Sequence, residues 1–319
     1  MNLLFIGGTK FVGRHAAEAA LARGHRVTLL HRGQTGSGAI GGAQEILLDR
    51  MADLSEVASQ KWDAVIDSCG YVPRVVRHSA EAFKNSTNQY LFISTISVYS
   101  TGDGGQLTVK GQAPLDTEEV TGETYGPLKV ESEAVVNEVF GERACILRPG
   151  LLAGPYDPTN RFTYWVTRVA EGGDVLVTDG PEQPLQLIDA RDLGEFQIKA
   201  VEDGLRGVYD VAGEPITFGE MLTVLTQRGA LPRFVPAPPD VLAKADVALW
   251  KDLPLTFAQG EGLEGLMGVD SGKAIAAGLR RRPLAETARD TLRWALDHPA
   301  ENPTHGLSRE RETAVLKEL

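Results

Sequence analysis

The sequence predicts a doubly wound α/β fold, a parallel sheet with helices on both faces, followed by a smaller C-terminal substrate domain. Three observations predict it. Short continuous apolar runs, such as a strand buried on both faces needs, recur through the first 150 residues. Stretches with apolar residues at helical spacing separate them, joined by brief turns. The first run also ends in a glycine-rich turn, GGTKFVG (7–13), that opens the first helix.

The elements follow in order. NLLFIGG (2–8) reads as the first strand, and apolar and alanine positions from Phe11 to Arg23 read as a helix. HRVTLLHR (25–32), QEILLDR (44–50) and WDAVIDSCG (62–70) supply the next three strands. A helix around 74–84 precedes QYLFISTISVYS (89–100), read as the fifth strand, and a helix near 126–140 precedes ERACILRPG (142–150). After about residue 150, Pro, Gly and aromatic residues become frequent, as in GPYDPTNRFTYW (154–165) and VPAPPD (235–240). The expected organisation is a nucleotide-binding domain over 1–155, a mainly substrate-binding domain over 156–300 and a peripheral charged tail over 301–319. LQLIDARDL (185–193) and RGVYDVAG (206–213) read as strands that return to the first domain.

Composition narrows the function classes. The formal net charge is −11, with 43 acidic against 32 basic residues, a field that repels nucleic acid and anionic membranes. The two cysteines, Cys69 and Cys145, lie in apolar runs without metal-ligand spacing and read as buried thiols of a reducing compartment. No leader-like segment precedes the first strand, and no apolar run is long enough to span a bilayer. The expectation is a cytoplasmic protein with a small-molecule substrate and no metal, and a homodimer remains open.

The turn Gly7-Gly8-Thr9-Lys10-Phe11-Val12-Gly13 stands where a dinucleotide fingerprint stands, between strand and helix. Gly7 permits the tight turn and Gly13 close helix–strand packing, so that backbone amides of 8–12 face a pyrophosphate at the helix N-terminus. Lys10 replaces the middle glycine of G-x-x-G-x-x-G; pointing outward, it leaves the site open. The second strand ends in His31-Arg32-Gly33 with no acid, which favours NADP over NAD. Asp49 is placed to meet the adenine, or else to cap a helix, and Arg50, Cys69 and Gly70 are expected beside the cofactor.

In ETYGPLKVESE, Tyr125 and Lys129 are four apart and share a helix face. A free phenol titrates near pH 10, and a neighbouring ammonium favours the phenolate, drawing Tyr125 towards a working proton shuttle. The same Lys129 is placed to hold the nicotinamide ribose. Thr95, ending the fifth strand, offers a hydroxyl to the substrate oxygen that Tyr125 protonates or deprotonates.

With GGTKFVG, Asp49, STISVYS, YGPLK and RPGLLAGP in this order, the chain from residue 1 to about 300 resembles the extended short-chain dehydrogenase/reductase group, also called the NAD-dependent epimerase/dehydratase family. The resemblance implies a Rossmann domain and a catalytic trio of Thr95, Tyr125 and Lys129. Thr95 is assigned because the family's Ser/Thr lies three residues before the Val-Tyr pair, here Val98-Tyr99; Ser94 and Ser97 are its neighbours. Lys10 and the Arg32 ending resemble an atypical subgroup that includes chloroplast stem-loop RNA-binding proteins. Leu151 stands where nucleotide-sugar members usually have the asparagine of R-x-x-N-x-x-G, which leaves the substrate class, and the choice among epimerisation, dehydration and reduction, open. An RNA-binding module and a non-catalytic redox sensor are the alternatives to an enzyme. Tyr71, Arg161 and Arg168 are the candidate substrate contacts, the two arginines seven apart on one helix face. Arg280, Arg281 and Arg282 read as a basic helix end, and Trp62, Trp165, Trp250 and Trp294 as packing residues.

Overall fold

A computed structural model of the chain describes residues 1–36, 38–101, 107–110, 117–226, 231–258, 260, 263–299 and 303–319. The chain divides into two compact units. The first joins Met1–Gly150 with Ala190–Ala212 and Val269–Arg280; the second joins Leu151–Asp189, Gly213–Gly268 and Arg281–Leu319.

Seven strands form the sheet of the first unit: β1 (Asn2–Ile6), β2 (Arg26–His31), β3 (Gln44–Leu47), β4 (Ala64–Asp67), β5 (Tyr90–Ile93), β6 (Ala144–Pro149) and β7 (Gly207–Val211). All pair in parallel, in the order β7-β6-β5-β4-β1-β2-β3. The doubly wound fold expected from the alternating runs is therefore the fold that forms. The order reverses between β1 and β4, which opens a crevice beyond the carboxyl ends of those strands. The central strands have helices on both sides, so their side chains alternate between two dry layers. Leu3, Leu4, Phe5, Val65, Ile66, Leu91 and Phe92 are all wholly buried.

Helix α1 (Phe11–Ala22) packs against α4 (Ala190–Glu202). A Cβ on Gly194 would lie 2.8 Å from the His15 carbonyl carbon, so this glycine lets the two backbones approach. On the other face α2 (Pro73–Phe83) packs against α3 (Tyr125–Phe140). Proline at the start of α2 suits a position whose N–H has no helical acceptor.

The second unit has its own core around the helix Arg161–Glu171. Trp165 is fully buried, stacks edge-on against Phe218 at 5.1 Å and donates its indole N–H to Pro254 O at 2.6 Å. Strand Pro184–Asp189 pairs with Leu151–Ala153 and Pro215–Thr217, and Gly173–Thr178 pairs with Pro232–Ala237.

Four sequence expectations are corrected. The run 185–193 is strand only to Asp189 and belongs to the second unit; from Ala190 the buried Leu193, Phe196 and Val201 carry helical spacing. Residues 269–280 belong to the first unit: the Ser271 hydroxyl accepts from Ala212 N at 2.8 Å and Lys273 donates to Val208 O. The run 89–100 breaks after Ile93, because the Thr95 side chain caps a 3₁₀ turn over Ile96–Val98; Tyr99–Thr101 then pairs with Leu107–Val109. The tail is not peripheral, since its helix Arg309–Leu316 buries Glu312 and Val315 within the second unit. Among the described residues no helix is long and apolar enough to cross a membrane.

Candidate active site

The crevice begins where β1 ends. Gly7 and Gly8 adopt φ of +92° and +99°, a region open to glycine and strained for other residues. A Cβ on Gly13 would sit 2.7 Å from the Gly8 Cα and 2.7 Å from Ser68 Oγ, so α1 meets the turn backbone to backbone. Lys10 is the extended residue before α1, with its side chain in solvent. It therefore does not fill the space above the turn. Phe11 takes the unusual φ of +33° as the helix starts, with its ring buried. The N–H groups of Phe11, Val12 and Gly13 have no acceptor within the helix and lie at its positive end. Thr9 is nearly buried, its hydroxyl 3.4 Å from that of Thr35. This cradle, too tight for any Cβ at Gly13, could hold a pyrophosphate on its backbone N–H groups.

At the end of β2, His31 is buried with Nδ1 accepting from Gly33 N, and Arg32 is exposed. An acid arrives here from the neighbouring strand. Glu45 on β3 accepts from Gly38 N at 2.7 Å and stands 3.7 Å from His31 Nε2. Sequence reasoning missed it, because parallel pairing of β3 with β2 supplies it rather than the strand-end motif. Asp49 accepts from Met51 N at 2.8 Å, closing a turn after β3.

Arg50 departs from its expected place beside the cofactor. Its guanidinium turns inward, donating to both oxygens of the fully buried Asp67 at 2.9 and 2.6 Å and to the Ser79 hydroxyl. Tyr90 and the amide of Cys69 complete the donors to Asp67. Burial acts to raise the Asp67 carboxyl, but the Arg50 guanidinium, with the hydrogen bonds from Tyr90 and the Cys69 amide, holds the group below the usual carboxylate range. The reason is local: a carboxylate at the end of β4 would be buried alone without a cation from β3's end. Cys69 is half-buried, with its thiol on Ile6 O and burial pushing its pKa up. Gly70 passes so close to Phe92 that a Cβ would lie 2.6 Å from the ring.

The three residues proposed for chemistry gather at the ends of β5 and the start of α3. Thr95 accepts from Ser97 N and donates to Ser97 Oγ, both at 3.1 Å, while the Ser94 hydroxyl is buried without a hydrogen-bond partner among the described residues. Tyr125 is the first residue of α3. A Cβ on the next residue, Gly126, would collide with the Ser97 carbonyl oxygen, so this glycine brings α3 hard against the Thr95–Ser97 turn. Gly126 was not singled out from the sequence, and only the contact reveals its role.

One turn further on, Lys129 is 2% exposed and donates to Gly70 O at 2.7 Å and Ile93 O at 2.5 Å. Burial pulls its pKa down to about 8, against the opposing pull of Asp67 and Glu133. An ammonium has three N–H groups, so one remains beyond these two carbonyls. Tyr71 stands beside Tyr125, ring centroids 6.3 Å apart, and is 47% exposed. Glu133, the next residue on the same face, is held by Arg148 through two hydrogen bonds. Arg148 also donates to the Tyr99 hydroxyl, which donates to Asp210 on β7. This buried network braces α3 against β6 and β7.

The two arginines of the second unit do not act as a pair. Arg161 donates to Thr159 Oγ1 and lies over the Trp250 ring at 5.5 Å. Arg168 is corrected as a substrate contact: it is 2% exposed, with Nε on Glu312 and its remaining donors on the carbonyls of Gly172 and Asp174. Sequence spacing could not foresee an acid 144 residues away. Arg281 and Arg282 reach Glu214 and Asp189 respectively, rather than ending a helix.

Residues 73–212 match the model of the NAD dependent epimerase/dehydratase family. A curated relative, the chloroplast stem-loop binding protein of 41 kDa b of Arabidopsis thaliana, is 23% identical over 252 residues. That match covers 72% of this chain, and the chain spans only 64% of the relative's length. Among solved structures, UDP-glucuronic acid 4-epimerase from Bacillus cereus in complex with NAD is 18% identical with a TM-score of 0.66, covering 94% of this chain and all of that one. UDP-glucose 4-epimerase from Thermus thermophilus, also with NAD, is 19% identical with a TM-score of 0.61, covering 94% of this chain and 100% of that one.

Proposed function

Residues 73–212 match the model of the NAD dependent epimerase/dehydratase family, and on that premise we propose that the chain is a nicotinamide-dependent enzyme acting at a carbinol or ketone carbon of a small, sugar-like substrate. The observation that supports this reading is the close approach of Gly126, the residue after Tyr125, to Ser97 of the Thr95 turn, with Lys129 on the same helix donating to Ile93 O. A nicotinamide bound over the glycine turn supplies the redox partner of the carbinol carbon. The protein's own residues manage the oxygen. Tyr125 gives or takes its proton, Thr95 hydrogen-bonds to it, and Lys129 offers a charge and a third N–H to the ribose and the phenol. Leu151 in place of an asparagine removes one hydrogen bond that a nucleotide sugar would use, so the sugar class stays part of the proposal.

The pyrophosphate belongs at residues 7–13, and the exposed Arg32 supports NADP. Glu45 opposes this, since a carboxylate near the adenosine ribose favours unphosphorylated hydroxyls. Arg32 decides the balance because it faces solvent, whereas Glu45 already accepts from Gly38 N.

Fluorescence titration with NADH and NADPH tests both points. NADPH is expected to bind more tightly, and Arg32→Ala to weaken it about tenfold, as loss of a charged hydrogen bond of about 1.5 kcal/mol implies. A folded protein that binds neither would remove the cofactor reading. Equal affinities would remove only the argument from Arg32. The stem-loop relative makes RNA the rival ligand: salt-sensitive binding of a labelled stem-loop, with no NADPH oxidation across ketones and nucleotide sugars, would replace the enzyme reading.

A further inference from the structure

We propose that Tyr71 is the lid of Lys129, a positioning residue whose ring keeps water from the buried amine and holds it against the carbonyls of Gly70 and Ile93. The inference concerns the residue that the proposed function places beneath Tyr125, and its functional consequence rests on that reading.

Among the described residues, four groups lie against the amine. Two are the carbonyls, at 2.7 and 2.5 Å. The others are rings: Phe92, with the nitrogen 4.2 Å from its centroid, and Tyr71, at 5.6 Å. Phe92 is wholly buried in β5 and cannot move without the sheet. Tyr71 lies outside the strands, in the turn directly after Gly70, and is 47% exposed. It alone of the four faces solvent, so it controls whether water reaches the nitrogen.

The charges around Lys129 do not neutralise it by contact. Asp67 on β4 is occupied by Arg50, Tyr90 and the Cys69 amide, and Glu133 on α3 is occupied by Arg148. Cys69 also favours the ammonium and Arg50 opposes it, while the phenols of Tyr71 and Tyr125 face the site from the turn and the helix. Asp67 and Glu133 still favour its charge from a distance, and the carbonyl dipoles and two ring faces do so by contact. Burial outweighs the acids and draws it down to about 8. Burial, and next the nearby Tyr125, push the Tyr71 hydroxyl up to about 12, so the lid itself stays neutral through this range.

Titration changes the number of donors. A neutral amine keeps two N–H groups, enough for both carbonyl bonds. What disappears above the midpoint is the third donor and the positive charge, the two properties that Tyr125 and a ribose would use. Opening the lid raises the midpoint, because water then solvates the ammonium.

The test follows Lys129 directly, by 13C NMR of protein labelled at the lysine ε-carbon, with the signal assigned through Lys129→Met. The wild-type midpoint is expected near 8, against an ordinary value of 10.5. Tyr71→Phe keeps the ring and should leave the midpoint in place. Tyr71→Ala admits water and should raise it by at least one unit. Tyr71→Leu still excludes water but offers no ring face, so its midpoint should stay at or below that of wild type. A folded Tyr71→Ala protein with the wild-type midpoint would overturn the lid. If the alanine variant does not fold, a rise in Tyr71→Leu would do the same. The measurement needs no cofactor, so absence of NAD(P)H binding would defeat the proposed function while leaving the lid intact. Where cofactor binds, its affinity should fall through the same midpoint; failure to follow it would remove Lys129 from ribose binding and not Tyr71 from Lys129.

Discussion

Tyr125→Phe is expected to lower turnover by about 10²- to 10⁴-fold, the range for loss of a general acid–base group, with NADPH affinity unchanged. The substitution removes one oxygen and preserves the ring that lies beside Tyr71. It leaves intact the glycine turn at 7–13 and the Lys129 amine, which stands on Gly70 and Ile93 rather than on Tyr125. Loss confined to kcat is thus the signature of a missing proton-transfer oxygen, whereas a parallel loss of cofactor binding would signal a disturbed α3. The assay follows NADPH absorbance with ketones, and epimer formation with nucleotide sugars, at pH 7. The wild-type rate should also fall as pH rises past about 8, since Lys129 has a lowered pKa and loses its charge there. A variant that turns over near the wild-type rate would end the role given to Tyr125.

Lys129 also shows why some of this site could be read from the sequence and some could not. The apolar runs NLLFI, RVTLL, AVID and ACILRP each became a parallel strand, because continuous apolar character with abrupt glycine ends leaves little choice but a doubly covered sheet. Local spacing carried the turn at 7–13 and the shared face of Tyr125 and Lys129, since both lie within one strand–turn–helix or one helix. Spacing failed wherever a partner came from far along the chain. Arg50 finds Asp67, Arg168 finds Glu312 and Arg148 finds Tyr99, and in each case the cation is held on an acid or hydroxyl distant in sequence. Burial of an arginine demands such a partner, but nothing in a local window names it. The break after Ile93 was missed for a related reason. The apolar, β-branched run continues to Tyr99, yet one Thr95 hydroxyl accepting from Ser97 N turns the chain.

The network at Asp67 yields the second large effect, on stability. Asp67→Asn is expected to destabilise the first unit by about 3–5 kcal/mol, the range for breaking a buried ion pair from one side. The substitution is nearly isosteric, so a cavity contributes nothing. The cost arises because Asp67 is wholly buried and accepts from Arg50, Tyr90 and the Cys69 amide together. An asparagine amide would replace one acceptor oxygen with a donor facing the Arg50 guanidinium. That guanidinium side chain is 11% exposed and its Nε already lacks a partner among the described residues, so its charge would be left buried and poorly paired. The pair thereby fastens the end of β3 to the end of β4, across the ends of β1 and β2 that lie between them in the sheet. Hydrogen exchange of peptides from β4 and β5 measures the loss in the unit concerned, where whole-chain melting would mix two units. Arg50→Met in the same background should recover part of the loss, because removing the orphaned cation removes most of the penalty. A loss below about 1 kcal/mol for Asp67→Asn would place the pair with solvent-screened surface bridges and contradict its burial.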